Sequence, residues 1–202
     1  MKRPDMRKIQ IVTDSACDIP KELEERHHIR ILPFSILAGE ESFVERQDFT
    51  NEEFYRLLET SPKIPSTAQY TAMQFLELYE ESFGAGYTDL IYTSINAKGS
   101  STNSNAHMAR DQFFEAHPEA KGEFEIYIVD SQTYSMGYGY PVIEAAKKAE
   151  KGAQPGEIVA YLEDWFNCCR VIFAPYTLEY VKKSGRVSCA AAFVGELMGL
   201  KP

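Results

Sequence analysis

The chain has 202 residues, of which 44% are hydrophobic and 25% charged, and its formal net charge is −9 at pH 7. This length and apolar content are enough for one globular domain and part of a second. The acidic balance, without any run of Lys or Arg, disfavours a nucleic-acid partner, and no apolar run approaches the roughly 18 residues of a membrane span.

The N-terminus and the cysteines predict a cytoplasmic protein. Residues 1–5 are charged and lead directly into a strand pattern, without the apolar core of a signal peptide. The four cysteines lack the spacing of a metal site, and Cys168 and Cys169 are adjacent, which favours reduced thiols over a disulfide framework. We therefore expect no metal and no stable insertion into a membrane.

Apolar periodicity and turn residues predict elements that alternate between strand and helix. In chain order they are a strand over 8–12, a helix over 20–25, a strand over 29–37 broken by Pro33, helices over 50–58 and 73–83, a strand over 90–93, a helix over 103–117, a strand over 124–129 and a helix over 158–166. Such alternation is typical of an α/β fold, with a mostly parallel sheet flanked by helices.

The alternation closes near residues 167–170, and a new apolar run begins at Val171. We therefore place an α/β ligand-binding domain at residues 1–169 and the beginning of a second α/β domain at residues 170–202. About thirty residues cannot bury a core of their own. We expect this tail to dock on the first domain or to belong to a second domain that is truncated.

Two polar corners follow the order strand, polar loop, helix start. Pro65-Ser66-Thr67-Ala68-Gln69 carries two adjacent hydroxyl groups, and the polar stretch from Ser94 to Thr102 follows an apolar strand. Backbone N–H groups and the helix dipole favour a carboxylate or phosphate at such places. Two alternatives remain open. Either Ser66 or Thr71 can begin a capping box, and the Ser94 stretch can be a solvated surface loop.

The pair Asp-Ser occurs twice at a predicted strand end, at Asp14 and at Asp130, which suggests that these two strands end near each other. Both aspartates are candidates for general bases or metal ligands. However, no His, Cys or Glu spacing completes a metal set, and an Asp at a strand end often caps the following helix. A hydrolase that uses His107 and Asp130 would lack the GxSxG nucleophile elbow.

These motifs resemble those of the bacterial DegV family, which includes the fatty-acid-binding subunits of fatty acid kinase. Five stretches carry the resemblance, in the order that the family has them, and they cover nearly the whole chain. They are residues 12–15, residues 65–69, the loop from Ser94, residues 129–131 and the stretch 178–187, which is followed by a match at 199–202.

The resemblance implies an α/β domain joined to a second one, with a long-chain fatty acid in a tunnel between them and no other cofactor. It implies that the fatty acid carboxylate lies near Ser66 and Thr67, near the Ser94 stretch and near Arg186. The residues that it implies as ligands are Ser66, Thr67, Ser94, Asn96, Ser100 and Arg186. A chain of this kind presents the carboxylate to a separate ATP-dependent kinase subunit, which makes the acyl phosphate, and does not itself catalyse.

The sequence departs from the family pattern at Tyr70, where the family usually has Pro, and in a longer loop after Ser94. Family members continue past the position of Pro202, so we expect the sequence to end within the second domain. The alternative function is a small-molecule phosphotransfer or hydrolytic enzyme that uses the same polar corner. Several aromatic residues are candidates either for the wall of an acyl slot or for ordinary core: Phe34, Phe43, Phe49, Phe54 and Tyr55.

Overall fold

The computed structural model describes residues 7–61 and 63–172 and confirms the α/β fold. The described residues fall into two compact units. Residues 7–34 and 69–170 form the first unit, and residues 35–61, 63–68 and 171–172 belong to the second. The predicted second domain at 170–202 therefore lies almost entirely outside the described residues. Among the described helices, none is both long and apolar enough to cross a membrane.

Seven strands and six α-helices make up the described chain. In order they are β1 (Ile9–Asp14), α1 (Lys21–Arg26), β2 (Arg30–Leu32), β3 (Ser35–Ala38), β4 (Glu41–Val44), α2 (Asn51–Thr60), β5 (Ser66–Ala68), α3 (Ala72–Gly84), β6 (Asp89–Ser94), α4 (Thr102–Ala116), β7 (Glu125–Asp130), α5 (Met136–Glu150) and α6 (Pro155–Cys168). Short 3-10 helices lie at Ser15–Cys17 and Pro118–Ala120.

The first unit is built on a four-stranded parallel sheet in the order β2-β1-β6-β7. In its register Val12 lies opposite Tyr92, and Ser94 lies opposite Asp130. A parallel sheet buries both of its faces, so it needs a helical layer on each side. Residues of α3 and α4 belong to one core cluster, and residues of α5 and α6 belong to the other.

Neighbouring residues of one strand enter different core clusters. Ile11 and Ile91 pack with α5 and α6, whereas Val12 and Tyr92 pack with α3 and α4. This division follows from the alternation of side chains along a strand. The apolar core therefore occupies both faces of the sheet.

The described part of the second unit contains a three-stranded antiparallel sheet in the order β4-β3-β5, together with α2. Ile36 of β3 lies opposite Phe43 of β4 and Thr67 of β5. The rings of Phe43, Phe49 and Phe54 form a row, with centroid distances of 5.9 and 5.4 Å between successive rings. Each of these three rings is only partly buried, and every residue of α2 is at least partly exposed.

Two predictions about the elements are wrong. The strand expected over 29–37 is two strands, β2 and β3, because Pro33 interrupts it and the two halves join different sheets. The stretch Ser66–Ala68, expected as a polar loop, is strand β5. In addition, α5 is a helix that the sequence pattern does not predict.

Capping boxes define the starts of α2 and α3. The box predicted at Thr50 and Glu53 is confirmed. Of the two alternatives for α3, the one formed uses Thr71, whose backbone N–H donates to Gln74 Oε1 at 3.0 Å while its Oγ1 accepts from the Gln74 N–H at 3.3 Å. Ser66 instead lies six residues before the helix, on β5, so it is available for another role.

Removal of the α3 cap should destabilise the first unit modestly. Thr71→Ala deletes the acceptor for the Gln74 N–H, and we expect the free energy of unfolding to fall by about 1 kcal/mol. Ser66→Ala is the matched control and should change it by less than about 0.5 kcal/mol. Urea unfolding followed by circular dichroism measures both. An equal loss in the two variants would contradict the assignment of the cap to Thr71.

Candidate functional site

Several polar groups of the first unit lie at the C-terminal edge of its sheet. There β1, β6 and β7 end at Asp14, Ser94 and Asp130. Because these strands are parallel neighbours, their ends meet at one edge, with β6 between the two strands that carry an Asp-Ser pair. The expected proximity of those two strand ends is therefore confirmed. Open α/β sheets bind their ligands at this edge.

Residues 94–101, called the Ser94 loop below, are tied to the loop that follows β7. The backbone N–H of Asn96 donates to the Thr133 carbonyl at 3.1 Å, and its Nδ2 donates to the Gln132 carbonyl, also at 3.1 Å. The N–H of Ala97 donates to Asp130 Oδ1 at 3.0 Å. The Ser94 loop is thus held in place by a neighbouring loop, and in this it differs from a simple solvated connection.

Ser94 ends β6 with a completely buried side chain. Its Oγ accepts a hydrogen bond from Asn103 Nδ2, on the first turn of α4, at 2.9 Å. The acceptor for its own proton is the Val129 carbonyl at 3.5 Å, well beyond the usual 2.5–3.0 Å for an O–H donor. Among residues 7–61 and 63–172, the hydroxyl group therefore has a well-placed donor and only a distant acceptor.

Asp14 ends β1 and is also completely buried. Its carboxylate accepts from the Tyr138 hydroxyl at 2.6 Å, from the Ile95 N–H at 2.7 Å and from the Tyr92 hydroxyl at 3.2 Å. Burial raises the pKa of Asp14 to about 6, and these hydrogen bonds offset part of that rise. Through Ile95, the carboxylate fixes the peptide that follows Ser94.

Strained backbone lies at the same edge. Asp18, Gln132 and Ser135 all have φ near +55°, and Ser135 combines it with a ψ of −142°. A non-glycine residue in such a conformation costs on the order of 1–3 kcal/mol, and strain of this kind clusters at functional sites. The hydroxyl of Ser135 donates to the carboxylate of Asp18, which helps to hold the two loops together.

The helices differ in how their first turns are capped. Complete capping boxes begin α2 and α3, and at α6 the Gln154 N–H donates to Glu157 Oε2 at 2.9 Å. The N-cap residues of α4 and α5 make no side-chain cap, although the Thr102 N–H of α4 donates to Ser100 Oγ at 3.3 Å. At α5 the N–H groups of Gly137 and Tyr138 donate to backbone carbonyls, both at 3.1 Å. At these two helix starts it is therefore the helix dipole that favours negative charge.

The structure places the predicted ligand residues in both units. Ser94, Asn96 and Ser100 lie together in the Ser94 loop of the first unit, and Ser100 Oγ hydrogen-bonds to the hydroxyl of Thr102 at 2.8 Å. Ser66 and Thr67 are exposed residues of β5 in the second unit. Arg186 lies outside the described residues.

Sequence reasoning misses several groups at this edge. Asn103 and Tyr92 fall inside helical or strand patterns, and Tyr138 lies in α5, which the sequence pattern does not predict, so nothing in the sequence marks them as partners of Ser94 and Asp14. The predicted capping role is wrong for Asp130, because Ser135 is the N-cap of α5 and Asp130 Oδ1 instead accepts from the N–H groups of Ala97 and Gln132. Residues 7–61 and 63–172 contain no cluster of three or more His, Cys, Asp or Glu side chains that would hold a metal ion.

Known proteins resemble this chain in sequence. A family model described as an uncharacterised protein of the DegV family matches residues 8–202. A DegV domain-containing protein of Clostridium perfringens is 32% identical over 194 residues, which are 96% of this chain and 66% of that protein. The chain therefore spans about two thirds of the length of this curated relative.

Two solved structures have the same fold. One is described as fatty acid binding of a DegV family protein from Thermus thermophilus, and it has a TM-score of 0.79 and 29% identity over 94% of this chain and 64% of that one. The other is DegV, a fatty acid binding protein from Bacillus subtilis, with a TM-score of 0.81 and 28% identity over 94% of this chain and 64% of that one. Together with the match of the family model over nearly the whole sequence, these findings show that the chain belongs to the DegV family.

Proposed function

We propose that this chain binds a long-chain fatty acid and presents its carboxylate to a separate, ATP-dependent kinase subunit, without catalysing a reaction itself. One observation carries the proposal. The buried hydroxyl of Ser94, at the end of a central strand, has only a distant acceptor among the described residues. The relatives from Thermus thermophilus and Bacillus subtilis are described as fatty acid binding. The kinase partner and the non-catalytic role rest on the family resemblance.

The carboxylate would be held by hydroxyl, amide and guanidinium groups. Ser94 supplies a donor whose present acceptor is 3.5 Å away, and the nearby first turns of α4 and α5 favour negative charge. We propose Ser66, Thr67, Asn96 and Ser100 as further contacts. Arg186 would supply the positive charge, because a guanidinium group binds both oxygens of a carboxylate and keeps its proton.

The acyl chain would supply most of the binding free energy. Each buried CH2 group contributes about 0.8 kcal/mol, so a long chain far outweighs one or two hydrogen bonds. The partly buried aromatic row of Phe43, Phe49 and Phe54 is a candidate surface for this chain in the second unit. In this arrangement the tail determines affinity, and the polar groups determine which end of the ligand is presented.

Binding of palmitate to delipidated protein tests the proposal. We expect Ser94→Ala to weaken palmitate binding about 10-fold or more, since a hydrogen bond to a charged group contributes about 1.5–3 kcal/mol. Ser101→Ala is the matched control, because Ser101 is an exposed serine of the same loop and should leave the affinity within about 2-fold. Titration calorimetry measures both, and denaturing mass spectrometry identifies any acyl chain that purifies with the protein.

Two results would contradict the proposal. The first is a wild-type chain that neither purifies with an acyl chain nor binds palmitate. The second is turnover of a small phosphorylated or ester substrate by the chain alone, which would support the enzyme alternative. The kinase step has its own test: acyl phosphate should form from the palmitate-loaded chain only when ATP and a bacterial fatty acid kinase subunit are both added.

A further inference from the structure

We propose that Asn103 is a positioning residue that keeps the Ser94 hydroxyl as a hydrogen-bond donor, so that this corner selects ligands with an anionic, accepting head group. The inference rests on the proposed function and deepens it. It concerns a residue outside the set of proposed ligands, and it makes a statement about head-group selectivity.

The hydrogen bond between the two side chains can run in only one direction. Asn103 Nδ2 lies 2.9 Å from Ser94 Oγ, and an amide nitrogen can only donate. Ser94 Oγ must therefore accept, and its own proton is directed away from Asn103. Among the described residues, the acceptor for that proton is the Val129 carbonyl at 3.5 Å, so the proton makes a poor bond there.

The backbone of Ser94 cannot easily move to improve this poor bond. Ser94 belongs to β6, its carbonyl accepts from the Ser131 N–H at 3.2 Å, and the next peptide is held by Asp14 through the Ile95 N–H at 2.7 Å. The side chain is also completely buried. A poorly paired buried donor raises the free energy of the free protein, and an arriving acceptor relieves it.

The head group of the ligand determines how well it pairs with this donor. A carboxylate offers only acceptors, so it complements a hydroxyl whose lone pair is occupied and whose proton is available. A fatty alcohol also accepts, but its bond to a neutral donor is about half as strong as that of an anion. Asn103 therefore favours the acid over the alcohol by fixing which way the Ser94 hydroxyl points.

The test compares palmitate with 1-hexadecanol, a ligand of equal chain length, on the same delipidated protein. Asn103→Asp keeps the side-chain shape but replaces the donor with a charged acceptor, which turns the Ser94 proton towards residue 103 and places a negative charge beside the site. We expect about a 100-fold loss of palmitate affinity and less than about a 3-fold change for hexadecanol. The preference of the wild-type chain for the acid should be reversed.

Two further variants act as controls. Ser104→Asp adds the same charge at the next residue. Ser104 is exposed, and its hydroxyl donates to the Ser101 carbonyl. We expect the ratio of the palmitate and hexadecanol affinities to stay within about 3-fold of the wild-type ratio. Asn103→Leu removes the donor without adding charge and should weaken palmitate about 10-fold with hexadecanol unchanged. If the Asn103→Asp variant fails to fold, the palmitate and hexadecanol affinities of the Asn103→Leu variant provide the test.

Failure of this inference is distinguishable from failure of the proposed function. If the wild-type chain binds palmitate but the residue 103 variants weaken both ligands equally, Asn103 has a purely structural role and the inference is overturned while the function stands. If the wild-type chain binds palmitate and hexadecanol with equal affinity, the inference is again overturned. If it binds neither ligand, the proposed function fails, and the inference fails with it.

Discussion

Gly139→Ala is expected to lower the free energy of unfolding by about 3 kcal/mol or more. A Cβ atom at this position of α5 would lie 2.1 Å from the Cys17 carbonyl oxygen, well inside van der Waals contact. The obstacle is backbone of the buried 3-10 helix that follows β1, so either this helix or α5 must shift. Overpacking of this kind typically costs about 1–3 kcal/mol, and a clash with buried backbone falls at or above the upper end.

The matched control is Gly156→Ala in α6. A Cβ atom there would meet no atom within 4 Å, and alanine is the better helix former, so the free energy of unfolding should stay constant or rise by up to about 1 kcal/mol. Chemical unfolding at one pH measures both variants. A Gly139→Ala protein as stable as the wild type would show that α5 does not approach the Cys17 carbonyl so closely.

This substitution should also reach the candidate site. The 3-10 helix begins directly after Asp14, and α5 carries Tyr138, whose hydroxyl donates to the Asp14 carboxylate at 2.6 Å. A shift of either element lengthens that bond and loosens the peptide that follows Ser94. We therefore expect weaker palmitate binding in folded Gly139→Ala protein, whereas Gly156→Ala should bind as the wild type does.

The second large effect is a pH dependence of stability that comes from Asp14. Burial raises its pKa to about 6, whereas an unfolded Asp titrates near about pH 3.9. Between roughly pH 4 and 6 the folded state therefore binds more protons than the unfolded state, so this group makes the protein less stable as the pH rises. A difference of roughly two between the folded and unfolded pKa values corresponds to about 3 kcal/mol of unfolding free energy. This contribution is fully lost above about pH 6.

Asp14→Asn isolates this contribution. The difference between the unfolding free energies of the wild type and the variant should fall by about 3 kcal/mol from about pH 4 to pH 7. Carboxyl groups whose pKa is lowered by local hydrogen bonds, such as Glu53 and Glu81, are present in both proteins and cancel in the difference. Urea unfolding at several pH values makes the measurement.

Tyr138→Phe is the companion variant. It removes the 2.6 Å hydrogen bond that stabilises the charged form of Asp14, so the pKa of Asp14 should rise further and the loss of stability should move to higher pH. Parallel stability curves for the wild type and Asp14→Asn would contradict the raised pKa. An unchanged curve for Tyr138→Phe would contradict the role of the phenol.

Elements stabilised by neighbouring residues could be predicted from the sequence. The capping box at Thr50 uses groups three residues apart, and the buried strands are continuous apolar runs. In contrast, β5 has three exposed residues and exists because it pairs with β3, which lies about thirty residues earlier. Likewise, α5 begins with Gly137, Gly139 and Pro141, which are poor helix formers, and close packing on the Cys17 turn favours it.

The candidate site divides in the same way. The polar stretch after a buried strand marked the Ser94 loop, and the resemblance to the family led to the ligand proposed for it. The partners that orient it are distant in the chain: Tyr92 and Tyr138 are 78 and 124 residues from Asp14. Tyr92 lies in an ordinary buried-strand pattern and Tyr138 lies in α5, which the sequence pattern does not predict, so no local signal marks either residue.

By itself, the sequence determined the α/β class, most of the helices and strands, and the polar stretch at which the site begins, because each depends on periodicity or on groups a few residues apart. Only the tertiary structure decided that Ser94 is buried with its proton poorly paired, that Asn103 is its donor and that Asp14 keeps a raised pKa. Those properties arise from contacts between groups on different elements, which are 9, 35 and as many as 124 residues apart in the chain, and folding alone brings such groups together.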